Sequence, residues 1–484
     1  MQAEQGRVTG EVPLTPIQHW FFELDNPEKQ HWNQAVLLTV KQPLEHTLLR
    51  QACQELLQQH DSLRARYKQE ESGWRQIFLD VEENEVFHSV DLSGLAGEEQ
   101  LQALERVASE AQANLNLTDG PLLCAVYFDL GEQHDRLLLI VHHLAIDIIS
   151  WYPLLEDLQT AYLCLQQGVA VHLPAKTSSY KEWATRLATY AQTEDLQQEM
   201  ACWLDPRRKT IKPLPIEQAD GKNIEGTTRN VSTKLESHET IALQRDVPAS
   251  YHTPIHEVLL TALALSIARW NDTQRVLIDL EGFGREELFE TIDISRTAGW
   301  FTTIYPVLLE VTETFHNEPG NALKSIKEQL RQVPQRGIGY GLLRYLSQNQ
   351  EDREKLQAQP SAEVIFNYQG HFDQRLPQTG LFGLATESIG PAHSALAERG
   401  HQLEVNAYII NEQLHVDWTY SEEQYAHSTI EQLAHRFTEY LRALIAHCQS
   451  PEAGGYTPSD FSKMSFEQDE LDELLDELSF SIED

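Results

Sequence analysis

Five consecutive apolar residues, Leu137-Leu138-Leu139-Ile140-Val141, end directly on a pair of histidines. A run this short cannot span a bilayer. Because it does not alternate with polar residues, it reads as a β-strand covered on both faces. Such a strand needs layers above and below it, which commits the surrounding chain to an α/β arrangement. The neighbouring sequence supplies those layers. Leu44, Leu48, Leu49, Ala52, Cys53, Leu56 and Leu57 recur at helical spacing. Further helix patterns run from Trp151 to about Gln166 and from Tyr180 to Trp203.

The second half repeats this alphabet. The spacing predicts a helix over about 253–270, a buried strand through Val276–Leu280 and a strand over 304–311. A helix over 321–332, a strand over 364–368, a hairpin over 403–410 and 414–420, and a closing helix over 428–447 follow. Between the halves, residues 205–225 are polar, rich in proline and without a hydrophobic period, as a linker would be. The expected organisation is a polar lead-in over 1–12, an N-terminal lobe over 13–204, the linker, a C-terminal lobe over 226–450 and a tail over 451–484.

Charge narrows the partners. The 484 residues hold 37 Lys+Arg against 74 Asp+Glu, a net charge of −37. Nucleic acid and anionic membrane surfaces are therefore repelled. Five scattered cysteines without a C-x-x-C pair give no disulfide framework and no zinc site. The first residues show neither a basic n-region nor an apolar h-region, and no stretch reaches the roughly 18 apolar residues of a span. These features predict a soluble, cytoplasmic protein. In the tail, residues 467–484 carry nine acids and no Lys or Arg, yet Leu471, Leu474, Leu475 and Leu478 share one helical face. Two readings stand there: a solvated tail, or a helix that folds against a basic partner.

The chemistry concentrates in H-H-L-A-I-D-I-I-S-W, residues 142–151. Imidazole suits proton transfer near neutral pH. Strand alternation sends His142 and His143 to opposite faces, so only one of them meets a cavity. No H-E-x-x-H or comparable metal-ligand set accompanies the pair.

This segment resembles the H-H-x-x-x-D-G signature of the chloramphenicol-acetyltransferase-like superfamily, which includes the condensation and epimerization domains of nonribosomal peptide synthetases. Six more segments resemble epimerization-domain motifs, in order: P-I-Q-H-W-F (16–21), H-E-V-L-L-T-A-L-A (256–264), E-G-F-G-R-E (281–286), R-T-A-G-W-F-T-T-I-Y-P-V (296–307), P-Q-R-G-I-G-Y-G (334–341) and F-N-Y-Q-G (366–370). The resemblance implies two chloramphenicol-acetyltransferase-like sandwich lobes in a V-shaped pseudo-dimer with a central cleft. It also implies inversion of the α-carbon of an aminoacyl or peptidyl thioester. That group rides on the phosphopantetheine arm of a carrier protein, with no cofactor or metal of the domain's own.

By the same resemblance, His143 and Glu281 are the proton-handling pair. Asp147 is expected as a structural ion-pair partner of Arg64, with His142 and Ser150 supporting the motif. Asn367 and Tyr368 are either hydrogen-bond donors to the thioester oxygen or strand-end packing. Trp151, Ile148, Phe283, Trp300 and Phe301 are expected along the substrate channel or in the core beside it. Two positions depart from the family pattern: Ile148 stands where the motif has Gly, and Phe283 where it has His. The opening residues resemble a linker from an upstream carrier domain. T-P-S-D-F-S (457–462) with the acidic tail resembles a donor docking peptide for a downstream synthetase subunit; with neither a carrier-protein serine motif nor adenylation-domain motifs in it, the sequence is expected to be an excised domain or a free-standing protein working in trans. Two alternatives stay open: a condensation domain that forms peptide bonds, and a catalytically impaired module that only binds carrier proteins.

Overall fold

The computed structural model describes residues 3–131, 134–311, 318–371, 380–451 and 453–461. In the N-terminal half, the apolar run becomes strand Arg136–His142, flanked by Asn33–Val40 and Leu123–Asp129 in a five-stranded sheet. Its residues divide by parity. Leu137, Leu139 and Val141 enter one core beneath helices His46–Gln59 and Trp151–Gln166, while Leu138 and Ile140 enter another beneath helix Gly97–Ala113. This sheet is apolar on both faces, as a non-alternating run demands.

The C-terminal half holds a six-stranded mixed sheet in the order Thr303–Glu310, Arg275–Gly282, Val364–His371, Leu403–Ile410, Gln413–Ser421, Thr228–Lys234. Here only one face is covered. Ile278, Leu280, Phe366, Val405, Ala407 and Trp418 pack under helices Ile255–Trp270 and His427–Cys448. The alternate positions Asp279, Glu281, Asn367, Glu404 and Asn406 fall on the opposite face. Helix Ile255–Trp270 is buried all round, with every residue from Glu257 to Ala268 buried, the pattern of a helix enclosed by its own fold.

The halves are interlocked. Strand Phe382–Leu384 leaves the C-terminal half and pairs antiparallel with Asn33–Val40 at the edge of the N-terminal sheet. Trp300, Phe301, Ile338 and Leu342 join the N-terminal core.

Three expectations change. The lead-in is not wholly irregular, because Gly10–Val12 pairs with Gly73–Phe78 in a small sheet completed by Ala65–Glu70. The helix expected from Tyr180 to Trp203 stops at Tyr190. Thr193-Glu194-Asp195 then starts a new turn, since a Thr followed by acids favours a helix start over continuation. Helix Ser237–Tyr251 was not foreseen, and Pro248 inside it masks its period. At the C-terminus, Asp460 accepts from Lys327 Nζ at 2.6 Å and from Arg331 at 2.8 Å, which fixes Thr457–Asp460 against helix Pro319–Arg331. The leucine stripe of the tail lies outside the described residues. Among the described residues, no helix is long and apolar enough to cross a membrane.

Candidate active site

Strand Arg136–His142 ends in a single tight turn, His143–Ala145, held by the His143 N–H donating to Trp32 O at 2.9 Å. The two histidines separate there. His142 is fully buried; its Nδ1 accepts from the Leu144 N–H at 3.1 Å and its Nε2 donates to Lys29 O at 2.8 Å. Both nitrogens are spent on backbone groups, and burial pushes its pKa down to about 3.

His143 instead lines a cavity of about 350 Å³. Its ring lies against Trp300, centroids 4.2 Å apart. Gln34 meets it at 3.0 Å, amide nitrogen to Nε2, and Gln34 Oε1 accepts from Trp151 Nε1 at 2.9 Å. An indole N–H only donates, so the Gln34 oxygen must face Trp151 and its amide N–H must face His143. Nε2 of His143 is therefore an acceptor, and the ring is neutral. Burial acts the same way, pushing its pKa down to about 4. Trp151 is not in the wall of this cavity; it holds the residue that holds His143.

Glu281 reaches the same cavity from the uncovered face of the C-terminal sheet, with Ile304 and Asn367 as cross-strand neighbours. Its carboxyl has no hydrogen-bond partner among the described residues. Burial, reinforced by the nearby Glu404 and Asp147 and opposed by His401, pushes its pKa up from 4.5 to about 7. Asn367 lines the cavity beside it. Tyr368 does not, because strand alternation turns it onto the C-terminal core.

The expected Asp147–Arg64 pair does not form. Arg64 pairs with Asp61 at 2.8 Å and donates to the carbonyls of Leu57, Leu79 and Val8. Asp147 binds Arg285, within E-G-F-G-R-E, through contacts of 2.9–3.2 Å. It also accepts from the Ser150 N–H at 2.8 Å and the Ser150 hydroxyl at 2.6 Å. Arg285 lies 4.0 Å over the Phe301 ring and donates to Ile294 O and Thr297 O. Ser150 bonds Gly299 as well. These residues form a buried clasp between the halves, and it places the His143 turn beside the strand that bears Glu281.

Ile148 lines the cavity without a left-handed backbone, so its Cβ is not strained there. Phe283 is 41 % exposed on the same wall. Trp300 stands between this cavity and a second one, and Phe301 belongs to the second. Sequence reasoning missed Gln34, Glu225, His393, Arg399 and His401, all in the cavity wall. His393 stacks on Trp32 at 4.0 Å. Burial works to raise the pKa of Glu225, but His393 and Arg399 beside it hold it below the usual carboxylate range. His401 bonds Asp279 at 2.7 Å, and Arg399 pairs with Glu404 at 3.0 Å. The available signal was P-A-H-S-A-L-A-E-R-G-H (391–401), a non-periodic stretch dense in titratable groups. Glu225 ended the expected linker.

The family model described as Condensation domain matches residues 8–466. One of the subunits of the linear gramicidin synthase from Brevibacillus parabrevis is 50% identical over 477 residues, covering 98% of this chain but 6% of that protein. The chain therefore spans a small part of that relative's length. The crystal structure of the epimerization domain from the third module of tyrocidine synthetase B superposes with a TM-score of 0.84 at 35% identity, over 93% of this chain and 99% of that one. The first condensation domain of the calcium-dependent antibiotic synthetase, at 19% identity and a TM-score of 0.66 over 93% of this chain and 100% of that one, shares the fold.

Proposed function

The chain belongs to the condensation-domain family, and from that premise we propose that it epimerizes the α-carbon of an aminoacyl or peptidyl thioester carried on the phosphopantetheine arm of a carrier protein. One observation carries this reading: the His143 imidazole and the Glu281 carboxyl, the latter without a hydrogen-bond partner among the described residues, line one cavity from the two halves of the fold, and burial favours the neutral form of both. The similarity to a solved epimerization domain supports it.

The chemistry follows from the protonation states. In neutral solution His143 holds a lone pair and much of Glu281 holds a proton. Their separation of about three pKa units makes the reverse arrangement scarcer by roughly a thousandfold. His143 takes the α-hydrogen as a proton at Nε2 once the Gln34 N–H yields. The C–H electron pair passes into a planar enolate. Glu281 returns a proton to the opposite face, a new C–H bond forms, and the centre is inverted with His143 protonated and Glu281 ionised. The Asn367 amide, beside Glu281, is a donor for the developing oxyanion. Solvent then resets both groups, so the product carries solvent hydrogen.

Incubating the protein with an L-aminoacyl carrier protein in deuterated water, then analysing chirality, tests this. The expected product is the D-residue with deuterium at the α-carbon. A dipeptide formed on addition of an aminoacyl acceptor carrier, without inversion, returns the assignment to peptide-bond formation. Carrier binding without α-exchange makes the protein a binding module.

A further inference from the structure

Behind Trp300 lies the second cavity, of about 120 Å³. It shares Trp20, Trp300, Thr302, Ile304, Gly400 and His401 with the reaction cavity. Ile304 is the cross-strand neighbour of Glu281, and Trp300 is the ring against His143. A group attached to a carbon between His143 and Glu281 therefore has this space directly beside it.

The remaining wall is mixed: Ile17, Trp183, Leu187, Phe301, Ile338 and Tyr340 form its apolar part, and Thr15, Thr303, Gln359 and Ser361 stand among them. Its two charged side chains have partners, Asp279 in His401 and Arg344 in Glu23 and Tyr340, while Arg344 Nε and Gln359 Oε1 are buried without a partner among the described residues. Part of this wall is the P-Q-R-G-I-G-Y-G segment, which the proton chemistry leaves unexplained. Gly337 has φ +83°, and a Cβ there would fall 2.2 Å from the Tyr305 ring. Only glycine lets the chain press so closely against that strand, and this seats Ile338, 4 % exposed, in the wall.

We propose that this cavity is the subsite for the amino-acid side chain of the residue being inverted, and that it selects a side chain of branched-aliphatic to phenyl size. The proposal rests on the epimerase reading above. An apolar cavity of about 150 Å³ accepts benzene, so about 120 Å³ suits an isobutyl group or a closely fitted phenyl ring. The larger cavity leaves room for the thioester and the end of the arm.

The test compares L-alanyl, L-leucyl and L-phenylalanyl groups loaded on one carrier protein. In the wild type, kcat/KM is expected to favour leucyl and phenylalanyl over alanyl by about tenfold or more. Ile338→Phe, which fills the cavity, is expected to shift the leucyl-to-alanyl and phenylalanyl-to-alanyl ratios at least tenfold toward alanyl. Ile338→Ala, which enlarges it, is expected to shift the phenylalanyl-to-leucyl ratio the other way, and it decides the matter should the Phe variant not fold. Ratios that stay fixed while all rates fall together would make the cavity an access route for the arm. Ratios and rates that both stay fixed would leave it no role in binding; either result overturns the proposal. Absence of inversion for all three substrates in the wild type overturns the epimerase reading itself, and the subsite with it.

Discussion

Glu281→Gln is expected to abolish α-hydrogen exchange and, in the same molecule, to stabilise the fold above neutral pH. Burial raises the carboxyl's pKa from 4.5 to about 7, so the folded chain keeps this proton where the unfolded chain has lost it. Stability then falls as pH rises. Below about 4.5 both states are protonated and the group costs nothing. Between about 4.5 and 7 the cost grows by about 1.4 kcal/mol per unit, and above 7 it stays near 3 kcal/mol. A glutamine carries no such charge and escapes this cost. A chain of 484 residues has an unfolding entropy of roughly 1 kcal/mol/K, from about 2 cal/mol/K per residue, so the variant should melt about 3 °C above the wild type at pH 8. At pH 4.5 the two should coincide. Thermal melts of both proteins at half-unit steps from pH 4.5 to 8.5, with deuterium exchange measured alongside, check this. A melting difference that does not change with pH would refute the reasoning, since the carboxyl would then not be held protonated by the cavity. Exchange that persists in the variant would remove Glu281 from the chemistry.

Two further outcomes are expected from the other half of the site. Asp147→Ala leaves the Arg285 guanidinium buried without its carboxylate, a loss of about 3–5 kcal/mol, read as a melting point lower by several degrees together with lost turnover; Asp147→Ala/Arg285→Met should recover part of the stability, and a fully stable but inactive Asp147→Ala would refute the clasp. Gln34→Leu removes the N–H that favours neutral His143, so the acid limb of the exchange pH profile, near 4, should move up by roughly one unit. An unmoved limb would show that Gln34 does not tune the ring.

What the sequence made legible is what local period controls. Leu137–Val141 announced a doubly covered strand because every side chain in it is apolar. The helix closing the chain and the hairpin before it also follow from spacing alone. Asp147 shows the limit. Its partner lies 138 positions away, and no local rule distinguishes Arg285 from Arg64 when both sit near plausible motifs. Tyr368 is a different case: two readings stood for it, and once F-N-Y-Q-G is a strand, alternation alone separates Asn367 from Tyr368 and decides for packing. The P-A-H-S-A-L-A-E-R-G-H stretch has no period, so pattern reading passes over it, and only the folded sheet shows that its histidines and arginine face the uncovered side.

The two sheets differ in a way that explains the division of labour. The N-terminal sheet is covered on both faces, so it meets the reaction cavity at strand ends, through Asn33 and Gln34 at the start of one strand and through the turn after its neighbour. His143 sits there. The C-terminal sheet is covered on one face, so a residue in mid-strand can face a cavity with its backbone rigidly paired, and Glu281 does so. That face carries five carboxylates, a costly concentration of charge. Four are answered: Asp279 by His401, Glu310 by Arg275 and Arg207, Glu404 by Arg399, and Asp417 by Ser232 and Tyr408. Glu281 alone among them has no partner among the described residues, and the unrelieved desolvation collects on it as a raised pKa. Supplying Glu281 with a cation of its own would make the fold more stable and would cost the site its proton donor, because the carboxyl would then be ionised at every pH where His143 is neutral.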